Sequence, residues 1–432
     1  MQPVRRASGR VGRVVHDAVV RRHRPDYQIA LFMGLLMLLG LIVMYAIGPQ
    51  RANVLNNAYG TNYYNSMYFF IKQSTSLGLA LVAFVALAVV PYGWVKQHAA
   101  KILVIGLAAC ALLVLTGNML HLNSIAYCTN GACRWFTLGP LGTLQPAEIL
   151  KFGVLVFMAG FFAMRAKQGL INDFNKTIVP FLTITALSAL FVIIIQKDMG
   201  TGISLMAILL IMLVMTGIRA TIIAKIIGAV VMAGVVMILI APHRLERVAT
   251  FFQGDNTTTG QETSYQITHA KIAIGSGGLF GVGIGNSVEA TGYLPEAIND
   301  SVFAILGETF GFVGLTVIIL LFGALLMRLI RLTDRLPDMW MRLIVAGVFG
   351  WLSAHVILNI AAMIGVFPLT GITLPLLSFG GTSMIFIAGA LGLAFQLSRY
   401  TVQGSINKEN TYENLGSRRG VGRTRHSRSR SN

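Results

Sequence analysis

Charge is scarce in this chain. Only 12% of its 432 residues are Asp, Glu, Lys or Arg, and 16 acids face 34 Lys and Arg. A soluble domain carries about 25% charged residues, so a water-exposed globular fold is excluded. Cysteine is scarce as well, with three in all. Only Cys128 and Cys133 are near neighbours, and two thiols fall short of the usual four ligands of a structural zinc site. No GK[ST] ending follows the glycine-rich run GSGGLFGVGIGNS, and no βαβ pattern precedes it, which excludes a nucleotide-binding P-loop. No small-residue cleavage site follows the basic N-terminal arm, so a removable signal peptide is not expected.

What the chain has instead is apolar length. Hydrophobic residues make up 55% of it, and mean hydropathy is +0.70. They gather in runs at about 27–48, 67–91, 99–117, 147–164, 178–195, 200–217, 221–242, 302–326, 341–362 and 382–399. Runs of this length span a bilayer as helices. The expectation is an all-α polytopic membrane protein of about ten transmembrane helices. Residues 1–26 form a basic arm, 27–399 the membrane domain and 400–432 a basic tail too polar to fold.

An even number of spans puts both termini on one side, and Lys and Arg say which. The segments assigned inside hold Lys96, Lys101, Arg165, Lys167, Lys176, Arg219, Lys225, Arg328, Arg331, Arg335 and Arg342, plus the arginine-rich tail. The segments outside hold only Arg51, Arg134, Lys197, Arg244, Arg247 and Lys271. Cytoplasmic termini follow from the positive-inside rule. The same rule accounts for the net charge of +18 without nucleic acid, and the basic tails are suited to anionic lipid headgroups.

Two outside segments exceed simple connectors. The first, about 118–146, holds Cys128 and Cys133, placed to close a small disulfide loop in an oxidising compartment. The second, about 243–301 between the seventh and eighth spans, begins with His243, Arg244 and Arg247 and returns through Gln266, Lys271 and the glycine run. Arg244, Arg247 and Lys271 suit a phosphate, and they equally suit headgroups or nearby acids.

The ionisable groups near the spans crowd toward the outer face: Lys72, Glu148, Lys151, Asp198, Asp300 and Glu308. Intramembrane charge is costly unless paired or used, so these residues mark a polar cavity open to the outside. Several have structural readings. Glu148 and Lys151 at i, i+3 can neutralise each other. Asp198 can cap the following helix, and Asn299 and Asp300 can do the same for the eighth span. His355 in the ninth span reads as a neutral core histidine, and Cys110 as a core residue.

Together the segments RWFTLGPLGTLQPAEILK, QKDMGTG, GxGxGNS with YLPEAINDSVFAILGE, and FPLTGITLPLLSFGGTS are similar to the SEDS family, the FtsW, RodA and SpoVE group of bacterial cell-wall proteins. They occur in family order across nearly the whole membrane region. The resemblance implies a ten-span peptidoglycan glycosyltransferase that polymerises lipid II on the outer face of the cytoplasmic membrane. It implies a class B penicillin-binding protein and other division membrane proteins as partners. The essential acid of the family's PE-x(3)-D motif maps onto Asp300, and its fourth-span motif maps onto Arg134, Gln145, Pro146, Glu148 and Lys151. Asp198, Asn286, Glu296, Glu308, Ser378 and Ser383 lie in the same segments and join Arg134, Gln145, Glu148, Lys151, Arg244, Arg247 and Lys271 as substrate-binding candidates. Two positions depart from the family pattern, Ser301 where an aromatic is usual and Ala147 where Ser is usual. GITLP leans toward the FtsW, cell-division side.

Such a reaction needs a general base for the attacking hydroxyl and positive charge facing the departing diphosphate. Asp300 is the candidate base. The charge can come from the basic side chains or from a divalent cation, Mg2+ or Mn2+, held by carboxylates. A lipid transporter is the rival reading, but transporters place acids near the midplane between paired repeats, and no internal repeat is evident. A scaffold that merely recruits a transpeptidase needs no such polar cavity.

Overall fold

A computed structural model describes residues 23–122, 124–129, 132–139, 142–240, 245, 248–249 and 261–401. The basic arm up to residue 22, the tail from residue 402, and Arg244 and Arg247 lie outside them. Among the described residues, nine helices are apolar and long enough to cross a bilayer: α1 (Tyr27–Tyr59), α2 (Tyr68–Val89), α4 (Ala99–Met119), α5 (Pro146–Lys167), α6 (Phe174–Ile195), α8 (Ala220–Ile240), α10 (Val302–Arg335), α11 (Met339–Met363) and α12 (Gly381–Tyr400). A tenth apolar helix, α7 (Met199–Met215), has 17 residues, the short end of the spanning range. These ten match the ten apolar runs, and the protein is an all-α polytopic membrane protein.

Two helices are short connectors or lie in loops. The six-residue α3 (Tyr92–Gln97) links α2 to α4, and α9 (Gln261–Ser276) lies in the long segment between α8 and α10. The segment before α5 folds as a small antiparallel sheet of β1 (Ala126–Thr129), β2 (Ala132–Thr137) and β3 (Thr143–Leu144). Neither α9 nor the sheet follows from hydropathy, because neither is an apolar run.

Burial divides the bundle. The central α5 and α11 are about three-quarters enclosed, each with 72% of its most apolar window buried. For α8 the value is 6%, so nearly its whole surface is left to lipid. Helix α11 packs along α7, α10 and α5, and α12 packs along α2. At the end of the chain where α1 begins, Asp26 accepts from the Gln28 amide at 3.2 Å, pairs with Arg328 of α10, and donates its own N–H to Ser398 Oγ at 2.8 Å. Alternating passes through the membrane bring the starts of α5, α7, α10 and α12 and the end of α11 to the opposite face. Every motif singled out in the sequence lies there.

Helix α10 is broken inside the membrane domain. Gly311 adopts φ 65°, ψ −167°, which ends one helical segment and starts another. A break frees backbone groups that lipid cannot satisfy. The glycine run fills it: the amides of Val282 and Gly283 donate to the carbonyls of Glu308 and Thr309 at 2.9 and 3.1 Å. In return the amides of Phe312 and Val313 donate to the carbonyls of Gly278 and Leu279 at 2.9 and 3.1 Å. A Cβ at Gly281 would sit 2.2 Å from the Thr309 oxygen, and Gly281 has φ 83°. Only glycine permits that approach.

Candidate active site

The approach to Asp300 is a series of turns over residues 292–301, and α10 begins at Val302 with Ser301 as its N-cap. The cap reading of Asn299 and Asp300 is therefore corrected: no side chain caps this helix. Asn299 instead bonds the Glu296 carboxylate, and the Glu296 carbonyl accepts from the Asn299 and Ser301 amides at 2.9 and 3.2 Å. Glu296 itself has φ 52°, an uncommon value for a residue with a side chain. Asp300 stands half-buried at the end of this compact turn.

Three elements hold that turn. From α9, Gln266 donates to Ser301 Oγ at 2.9 Å and reaches Asp300 Oδ1 at 3.4 Å. One turn on, His269 Nδ1 meets the Glu289 carboxylate at 2.8 Å, which ties α9 to the short 3-10 turn Glu289–Thr291. From α11, the buried Asn359 donates to two carbonyls, Asp300 O and Ile372 O, each at 2.7 Å. One amide thus fastens Asp300 to the segment between α11 and α12. Phe379 N donates to Ile298 O at 2.8 Å and closes the same contact from the other side.

Glu308 has the opposite character. It is buried, accepts from Ser287 Oγ at 2.5 Å and Val288 N at 2.9 Å, and takes the Glu289 amide at 3.3 Å. Its carboxylate is spent on folding the loop that precedes Asp300.

A second polar cluster lies where α5 and α7 begin. Glu148 and Lys151, both buried, form an ion pair of 2.8 Å across one turn of α5. The Lys151 ammonium also lies 3.5 Å from Ser204 Oγ and 4.6 Å from the centre of the Trp351 ring. Asp198 caps α7: it accepts from the Thr201 amide at 2.9 Å and the Thr201 hydroxyl at 2.8 Å, and from Gln145 Nε2 at 2.9 Å. Arg134 on β2 donates to the carbonyls of Gln196 and Lys197 at 3.1 and 2.8 Å, which holds the turn that presents Asp198. The β1–β2 hairpin carrying Arg134 is closed by a disulfide between Cys128 and Cys133.

Helix α11 joins the two clusters. Trp351, His355 and Asn359 recur every four residues, so they share one face. Trp351 touches Lys151, His355 Nδ1 faces Thr373 O at 3.4 Å, and Asn359 holds Asp300. Eight residues at ~1.5 Å put about 12 Å between the levels of the Lys151 pair and Asp300. The buried His355 stays a core residue in this ladder.

The remaining candidates divide. Ser378 is buried and accepts from Leu374 N at 2.8 Å, bracing the loop before α12. Asn286 donates to Val282 O at 3.0 Å within the glycine run. Lys271 is exposed on α9 and faces Gly365, where a Cβ would lie 2.7 Å from its ammonium nitrogen. Ser383 Oγ and Glu148 Oε2 are buried, and the Ser383 hydroxyl lies beside the Glu148 carboxylate. Gln266, Asn359, Ser287 and Ser204 were not expected as contacts. Of these only Asn359 left a signal, a polar residue one turn after His355 in an apolar span. Among the described residues, no group of three His, Cys, Asp or Glu side chains is arranged to hold a metal ion.

Comparison with known proteins places this arrangement. Residues 27–403 match the FtsW, RodA and SpoVE family profile, described as cell cycle protein. Stage V sporulation protein E of Bacillus subtilis is 31% identical over 382 residues, covering 88% of this chain and 99% of that protein. A protein named probable peptidoglycan glycosyltransferase FtsW, from Thioalkalivibrio sulfidiphilus, is 32% identical over 355 residues, covering 76% and 87%. Among solved structures, one chain of a peptidoglycan synthase complex superposes with a TM-score of 0.68 at 24% identity, covering 88% of this chain and 99% of that one. At that identity the superposition speaks for the fold.

Proposed function

The chain belongs to the FtsW, RodA and SpoVE family, and on that premise we propose that it is a peptidoglycan glycosyltransferase of cell division that polymerises lipid II. The single observation that supports the site is the contrast between Asp300 and the other acids at that face. Glu148, Glu289 and Glu308 are buried and the half-buried Asp198 caps α7, whereas Asp300 is half-buried on a braced turn with Gln266 3.4 Å from its carboxylate. A carboxylate so placed is accessible to a substrate hydroxyl.

In the reaction, the 4-hydroxyl of one lipid-linked disaccharide attacks the anomeric carbon of another. A C–O bond forms as the bond to the diphosphate breaks, and the anomeric centre inverts. Asp300 takes the hydroxyl proton, a role worth ~10²- to 10⁴-fold. The diphosphate departs with its lipid and gathers negative charge. Lys271 and, from the other cluster, Arg134 and Lys151 are the described cations of this face that can oppose it. Asn359 and Gln266 act through Asp300 by fixing its backbone and its orientation.

The reading places the site on the extracytoplasmic side of the cytoplasmic membrane, where the Lys and Arg distribution puts it. A class B penicillin-binding protein is the proposed partner, because polymerised strands require cross-linking. The broken α10 is the feature that best suits a transporter. Its carbonyls, however, are filled by the chain's own glycine run, which favours a fixed support over an ion site.

The test is lipid II polymerisation by purified protein, alone and with a candidate class B partner. Wild type is expected to make glycan strands, and folded Asp300→Asn none above background. Transfer of lipid II across vesicles without polymer under any partner condition would favour the transporter.

A further inference from the structure

The end of the molecule remote from Asp300 holds a second built feature. A recess of about 290 Å3 is lined by Lys96, Gly160, Ala163, Met164, Lys167 and Gln168. We propose that it binds the headgroup of an anionic phospholipid in the leaflet opposite to the catalytic face.

Behind its Gly160 wall lies an unmet donor. Trp340, the second residue of α11, is fully buried, and its indole N–H has no hydrogen-bond partner among the described residues. A buried donor of this kind is costly when left unmet, so an acceptor belongs there. That nitrogen faces Gly160: a Cβ at Gly160 would meet Trp340 Nε1 and Cδ1 at 4.0 Å, with nothing nearer. Glycine thus leaves only its own backbone between the indole and the recess, where a larger side chain would add a further layer.

The rim is cationic. The Lys96 ammonium lies 5.5 Å from the centre of the Trp340 ring, and Lys167 lines the same recess from the last turn of α5. Arg165 Nη1 donates to Gln168 Oε1 at 3.1 Å, which holds a guanidinium beside that wall. The nearby acid is Asp338, 3.7 Å from Lys96, with both side chains partly exposed. A solvated pair of that length is weak, and Lys96 keeps further donors for a phosphate. The remaining walls, Ala163 and Met164, are apolar, which suits the glycerol and first methylenes of a lipid better than a free anion.

Position separates this site from the chemistry. Trp340 and Asn359 are 19 residues apart on α11, about 28 Å along the axis at ~1.5 Å per residue. The same helix therefore touches the proposed lipid at its start and braces Asp300 near its end. Lipid retention does not depend on the polymerase reading, and it can fail or succeed alone.

The experiment is native mass spectrometry of the full chain released from mixed phosphatidylglycerol and phosphatidylcholine bilayers, counting retained lipid. Wild type and Lys101→Gln, an exposed lysine outside the recess, are expected to retain phosphatidylglycerol at least tenfold over phosphatidylcholine. Lys96→Gln with Lys167→Gln, and separately Gly160→Met, are expected to lose that preference. If Gly160→Met does not fold, Trp340→Phe replaces it, keeping the ring and removing the donor. Equal retention of the two lipids by wild type overturns the proposal. So does loss in the lysine variant alone, which means diffuse surface attraction, or loss in the recess variants alone, which means an apolar slot without headgroup recognition.

Discussion

Asp300 and Glu308 lie eight residues apart at the start of one helix and have opposite surroundings. Glu308 is buried under a hydroxyl and two backbone amides, whereas Asp300 stands half-buried on a turn that other residues hold by its carbonyl. The difference teaches that carboxylates in a membrane protein are sorted by what they accept. The buried one builds the site, and the one within reach of solvent is within reach of substrate.

The comparison can be broken first at the buried pair. Lys151→Met leaves Glu148 buried without its ion-pair partner, which is expected to cost about 3–5 kcal/mol, read as a fall in folded yield and thermal midpoint. Adding Glu148→Gln is expected to recover most of that loss. If the recovered double variant polymerises lipid II at the wild-type rate per folded molecule, the pair is purely structural; if it stays inactive, Lys151 faces substrate.

The glycine seam comes next. Gly281→Ala drives a Cβ against the Thr309 carbonyl, and an overpacked position of this kind costs about 1–3 kcal/mol. Melting curves and protease sensitivity near α10 are expected to show it, while Gly285→Ala, at φ 85° but with no atom within 4 Å, carries the backbone strain without the clash and is expected to cost less. Reduction of the Cys128–Cys133 bridge is smaller in reach: closing so short a loop is worth about 2 kcal/mol in the unfolded chain. Wild type treated with a phosphine and the Cys128→Ser, Cys133→Ser variant are expected to melt lower by similar amounts. Smallest is Asp198→Asn, which keeps an N-cap oxygen for α7 and is expected to cost under about 1 kcal/mol, with any larger fall in activity pointing to a direct role.

The spans were legible because hydropathy is local: ten apolar runs became ten apolar helices, with α7 the shortest. That count also puts every motif at the end of the bundle opposite to the start of α1. The break in α10 was not legible. It depends on Gly311 meeting residues 278–283 in space, a contact no periodicity reports. Helix α9 and the strands of the hairpin were missed because short polar elements carry no apolar signature, although the Cys128–Cys133 bridge that closes the hairpin was expected from its spacing. At the site, YLPEAIND announced a special carboxylate by resemblance, and Asn359 could have been noticed as an amide in an apolar helix. Gln266 could not, since nothing in QETSYQITHA says which side chain will face Asp300.

The most direct measurement compares Asp300→Asn with Glu308→Gln in one lipid II polymerisation assay, with rates divided by folded protein. Glu308→Gln is expected to lower the folded fraction yet keep each folded molecule within about tenfold of wild type, while Asp300→Asn folds normally and falls by the ~10²- to 10⁴-fold of a lost general base. Wild-type rates from folded Asp300→Asn, or equal silence from both variants per folded molecule, would contradict the division of labour between the two carboxylates.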